Sequence, residues 1–185
     1  INNFILFLYS INRYLIMNKK IDWAKAATNG LFLSIIPIAA DYIHQIFQIE
    51  GTLGLLINLL KVAGCTAVLH YFIKKNFIEN NSELTYGSSF KYGMAVSLFS
   101  TVVCTLATVL LYQVIIPGYF EEMVTQLLIS YEQMGVEGLV DYDMLMSTMP
   151  MTITIGQIFN CLLWGLILSS ILANTAKIKK DNPFQ

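Results

Sequence analysis

Four apolar runs, each about as long as a bilayer's hydrocarbon is thick, leave this chain almost no choice of fold class. They cover residues 26–47, 53–72, 93–115 and 151–173. A helix needs ~20 apolar residues to cross the hydrocarbon, and only helices and closed barrels satisfy every backbone polar group there. Charged residues are 12% of the chain and hydrophobic residues 56%. A soluble domain averages about a quarter charged. The expectation is an all-α membrane protein, a bundle of four transmembrane helices, with no separate soluble domain.

The charges are sorted by side. Lys19, Lys20 and Lys25 flank the first run, Lys74, Lys75 and Lys91 lie between the second and third, and Lys177, Lys179 and Lys180 follow the fourth. Residues 45–52 and 116–150 contain no Lys or Arg but carry Glu50, Glu121, Glu122, Glu132, Glu137, Asp141 and Asp143. Cationic flanks stay cytoplasmic during insertion. The pattern predicts a multi-pass protein of the bacterial inner (cytoplasmic) membrane with both termini cytoplasmic. Nucleic-acid binding is disfavoured, because no basic face is set beside reading elements. Cys65, Cys104 and Cys161 all fall inside spans, where they read as small apolar packing residues. No CxxC and no Cys/His ligand spacing occurs, so neither metal nor cofactor is called for.

Met17-Asn18-Lys19-Lys20 reads as a natural start. Residues 1–16 are then either upstream sequence or an interfacial segment, being too short to span and lacking a signal peptide's layout. Residues 17–180 form a single transmembrane domain, and 181–185 a short cytoplasmic tail.

Each span has one small or polar face. Ala26, Gly30 and Ser34 recur in steps of four on the first, a spacing that lets another helix approach closely. Pro37 should kink that helix. Asn58, Lys61 and Cys65 share a face of the second span. The third carries Gly93, Ser97 and Thr101, and the fourth Thr152, Gly156 and Asn160 with Gln157 beside them. These faces should turn inward, with Gly156 and Gly165 as packing glycines. Between spans three and four, Phe120, Met123, Val124, Leu127, Leu128 and Tyr131 recur at helical spacing opposite Glu121, Glu122, Gln126, Glu132 and Gln133. This predicts an amphipathic periplasmic helix, ended by Gly135 and Gly138. Asp141 would cap a further short helix running to Pro150.

Lys61 stands out. A charge inside the hydrocarbon costs several kcal/mol unless paired or wetted. At ~1.5 Å per residue, Asp41 lies ~24 Å above the lysine-rich boundary and Lys61 ~20 Å, so the two predict an intramembrane pair. An ion pair or a snorkelling lysine competes with a site for an anionic ligand, head group or proton. His44 and His70 lie near opposite faces and read as interface residues. No GxSxG, HExxH, P-loop or dinucleotide fingerprint occurs, so no enzymatic activity is expected.

Three stretches form a pattern: Met17-Asn18-Lys19-Lys20, Thr85-Tyr86-Gly87-Ser88-Ser89-Phe90-Lys91-Tyr92-Gly93 and Ile116-Pro117-Gly118-Tyr119-Phe120-Glu121-Glu122-Met123. They resemble domain-of-unknown-function family 4199, four-span membrane proteins of Bacteroidetes-type bacteria. The resemblance covers Met17 to about Lys180. It implies the four-span topology, carries no catalytic residues, and implies company with polyprenyl-phosphate glycosyltransferases and hence lipid-linked sugars. Two functions remain. One is a non-enzymatic accessory or scaffold subunit, its partner a membrane glycosyltransferase. The other is a small homodimeric carrier or flippase for an amphiphilic or anionic, lipid-linked substrate. Membrane lipids are partners in both.

Overall fold

The computed structural model describes residues 21–80, 85–135 and 141–175. The expectations for residues 1–16, the start at Met17, Gly138, the cations after the fourth span and the tail at 181–185 lie outside these. Among the described residues the chain is helical throughout, with no strand. The helices are α1 (Trp23–Ile46), α2 (Gly51–Glu79), α3 (Tyr86–Leu110), α4 (Tyr119–Gln133) and α5 (Tyr142–Thr175). α1, α2, α3 and α5 are each long and apolar enough to cross a membrane. α3 is prolonged by a π turn over Leu111–Ile115.

Local chemistry explains the ends. The Asp22 carboxylate accepts from the Lys25 N–H at 3.0 Å and starts α1. Thr85 caps α3 in the same way, its hydroxyl accepting from the Ser88 N–H. The α1–α2 turn is tight, with Gln48 and Gly51 both at positive φ. Gly135, at φ +73, ends α4 by leaving the right-handed region.

α3 is the central helix, packed between α1 on one side and α5 on the other. Its buried positions run from Ser89 to Thr105, and most are small: Gly93, Ala95, Ser97, Ser100, Thr101, Cys104. Small side chains let backbones meet, and here they do. A methyl group added at Gly30 would sit 2.6 Å from Phe99 Cβ and 2.8 Å from the Val96 carbonyl oxygen. One added at Gly165 would sit 2.6 Å from Ser97 Cβ. At Gly93 it would strike both Ser169 of α5 and Ile73 of α2.

The apolar core gathers at the lysine-rich end. Ala26, Leu33, Leu69, Ile73, Tyr92, Ala95, Val96 and Leu172 form one buried cluster. Asn29 donates to the Tyr92 hydroxyl at 2.7 Å, and a Lys25–Glu79 ion pair ties the start of α1 to the end of α2. The other half of the bundle is looser. In α2 only Gly54 is buried before Leu69.

Two expectations are corrected. Asp141–Pro150 is not a separate short helix, because α5 runs unbroken for 34 residues through Pro150. A proline removes one helical bond, here the one to the Met146 carbonyl, and membrane-spanning helices tolerate that loss. Around it Thr148 and Thr154 donate to the Met144 and Pro150 carbonyls. The small stripe expected to face inward on α5 does not do so: Thr152 and Gly156 are exposed, and Gly156 has open space where a side chain would be. The inward row is the neighbouring one, Ile153–Gln157–Cys161–Gly165–Ser169. Adjacent residues point ~100° apart around a helix. Met149, Leu172 and Ala173 anchor α5 by its apolar side, and that sets its rotation.

α4 packs against α5 with Val124 fully buried and Met123, Leu127, Leu128 and Tyr131 partly so. Glu121, Glu122, Gln126, Glu132 and Gln133 face outward. It lies at the lysine-free end of the bundle.

Candidate functional site: a polar cavity among the four spans

The two outer helices lean on different partners. α2 rests on α1, with Gly54 close to His44 and the Ile49 carbonyl, and Gly64 close to Ile36. α5 rests on α3 through Gly165 and Ser169. α2, α3 and α5 meet at Gly93, at the lysine-rich end. Nearer the other end all four spans line a cavity of about 550 Å³. Binding cavities for small molecules run ~300–1,000 Å³.

Its wall brings together most of the polar residues singled out in the sequence. Asp41, Asn58, Lys61, Ser97, Thr101, Gln157 and Asn160 all line it. At its centre Lys61 Nζ donates to Asp41 Oδ1 at 2.6 Å. The lysine side chain is 26% exposed and the aspartate 36%, so the pair is reachable from the cavity rather than sealed. Antiparallel α1 and α2, joined by a short turn, bring positions 41 and 61 to similar depth. Tyr42 is engaged elsewhere, its hydroxyl donating to the Ala107 carbonyl at 2.8 Å. Asn58, Gln157 and Asn160 have no side-chain partner among the described residues. Three unpaired amides beside an ion pair, within membrane-spanning helices, form a surface that favours polar company.

Ala26, Gly30, Ser34 and Gly93 are buried at helix contacts. Thr152 and Gly156 contribute to neither contact nor cavity. Some lining residues were read otherwise from the sequence. His44 borders the cavity, and Cys65, Cys104 and Cys161, from three helices, all face it. The signal was present for Cys65, one turn from Lys61, and for Cys161, next to Asn160. It went unused because a cysteine in a span is far more often a packing residue. Leu111 and Tyr112, at the π turn, also line the cavity. There the Ile116 N–H bonds the Leu111 carbonyl at 2.8 Å, and the Tyr112 ring stacks on Tyr119 with centroids 4.3 Å apart. π turns often lie beside functional sites. No group of three metal-ligating side chains occurs among the described residues.

Four long apolar helices around a polar cavity, with a short amphipathic helix at one end, define a multi-pass helical membrane protein. The profile of a family described as "Protein of unknown function (DUF4199)" matches residues 5–177, and the chain belongs to that family. Neither the curated proteins nor the solved structures yield a match.

Proposed function

We propose that this chain binds a small amphiphilic substrate inside the bacterial inner membrane and carries it, or its polar part, between the two leaflets. The supporting observation is the half-open cavity around Asp41 and Lys61. Polar groups within a span are costly, and those that persist face a partner or water. Here an ion pair and three unpaired amides share one space of about 550 Å³ lined by all four spans. A chain whose only role was to pack against another protein would have no need of that interior. The chemistry is binding and release, with no bond made or broken. Both termini lie on the cytoplasmic side and α4 on the periplasmic side, as the lysine asymmetry implies.

Transport is tested in vesicles. The purified chain, reconstituted at about one copy or more per vesicle, should accelerate loss of fluorescence from inner-leaflet labelled lipids when a membrane-impermeant quencher is added outside. Rates equal to protein-free vesicles, for both zwitterionic and anionic labelled lipids, would count against the carrier.

A second reading has its own support. Thr152 and Gly156 leave a small-residue strip on α5 that nothing among the described residues covers, and such strips admit a second helix closely. In that reading the chain is a non-enzymatic accessory subunit. Its partner is the class the family resemblance implies, a polyprenyl-phosphate glycosyltransferase, or else another copy of itself. Mild-detergent purification from the native membrane should then bring down a stoichiometric partner, which Gly156→Leu should release.

A further inference from the structure

The cavity wall is electrically balanced. Among the described residues, Asp41 and Lys61 are the only Asp, Glu, Lys or Arg side chains lining it. They hold each other, and both remain partly exposed to the space. A ligand that takes up this site must separate or bridge the pair. A purely anionic head group could claim Lys61, but Asp41 would then be an unpaired carboxylate facing an anion in a poorly screened site. A purely cationic one would strand Lys61. A head group that carries both signs a few ångströms apart replaces one internal ion pair by two external ones and leaves no charge uncompensated.

We propose that the cavity selects a zwitterionic amphiphile, with its anionic group against Lys61, its ammonium against Asp41, and its chains reaching the lipid. This rests on the binding function proposed above and names the ligand class for it. The unpaired amides fit the same picture. Asn58 stands on α2, and Gln157 and Asn160 on α5, so they line the cavity from two helices and offer both donors and acceptors to ester and phosphate oxygens. Beside them the same two helices expose apolar surface suited to chains, at Leu55, Leu56 and Leu59 on α2 and Phe159 and Leu163 on α5.

Retention of defined lipids on the full-length chain, delipidated in detergent and read by native mass spectrometry, tests this. Phosphatidylethanolamine and phosphatidylglycerol of identical chains are offered in equal amounts. The zwitterionic lipid should be retained in preference by about tenfold, equivalent to ~1.4 kcal/mol. Asp41→Asn leaves one free ammonium and should reverse the preference toward phosphatidylglycerol. Lys61→Gln should reject phosphatidylglycerol still more strongly. Thermal melts in the same detergent identify variants that have unfolded. Should the singles do so, the Asp41→Leu/Lys61→Met double variant takes their place and must lose the discrimination. Free phosphoethanolamine, added in excess, separates a soluble zwitterion from a lipid: displacement of the bound lipid would give the same chemistry a soluble source. Equal retention of the two lipids by the wild type, or an Asp41→Asn variant that keeps the wild-type order, overturns the zwitterion inference while leaving an amphiphile site intact. No lipid retained by any folded variant overturns both that inference and the function beneath it.

Discussion

Asp41 and Lys61 occupy positions that neither would tolerate alone. Separated, each is an uncompensated charge among membrane-spanning helices; at 2.6 Å they satisfy one another. Breaking a fully buried pair costs ~3–5 kcal/mol and an exposed one under ~1 kcal/mol, so this half-exposed pair should fall between, about 1–3 kcal/mol. Lys61→Met and Asp41→Leu should each lower the melting temperature in detergent. The double replacement should recover much of the loss, because two apolar side chains of similar size leave no stranded charge. Single effects that simply add would mean that the pair contributes nothing as a pair.

At the scale of elements, the bundle is held by places where backbones touch. Gly30 and Gly165 sit where a methyl group would come within 2.6 Å of a neighbouring Cβ. Relief there requires α3 to shift, and overpacking of this kind costs ~1–3 kcal/mol. Gly30→Ala and Gly165→Ala should therefore destabilise the chain. Gly156→Ala should not: the space around it is open, and alanine favours a helix by up to ~1 kcal/mol over glycine. A chain in which Gly156→Ala is as damaging as Gly165→Ala would have α5 rotated differently from the arrangement described, or covered by a second protein.

For the whole molecule, two asymmetries coincide. The lysine-rich end holds the apolar core and the lysine-free end holds the cavity. In the proposed orientation, with the lysines inside the cell, the cavity would lie in the half nearer the periplasm. A cysteine placed at Gln133, exposed at the end of α4, in a chain otherwise free of cysteine, should react with a membrane-impermeant maleimide once the outer membrane is breached. Reaction only after the inner membrane is permeabilised would invert the orientation and put the cavity on the cytoplasmic side.

The number and apolar character of the spans were set by the sequence alone, because any chain that crosses the hydrocarbon must present enough apolar residues in a row; the helix ends were not, since α2 runs from Gly51 to Glu79 and α5 from Tyr142 to Thr175. So was the register of Asp41 and Lys61, which follows from counting residues at a fixed rise along two helices joined by a short turn. The tertiary structure decided what counting along one helix cannot: which face of α5 turns inward, and that the four spans leave a polar cavity among them. Thr152, Gly156 and Asn160 share a stripe of small or polar residues, yet Asn160 lines the cavity while Thr152 and Gly156 do not. Rotation about a helix axis is fixed by the sum of contacts along its length, and for α5 those lie at Met149, Gly165, Ser169, Leu172 and Ala173. The three cysteines meet at one wall for the same reason. Convergence of residues from separate helices depends on packing between them, and no single helix carries that information.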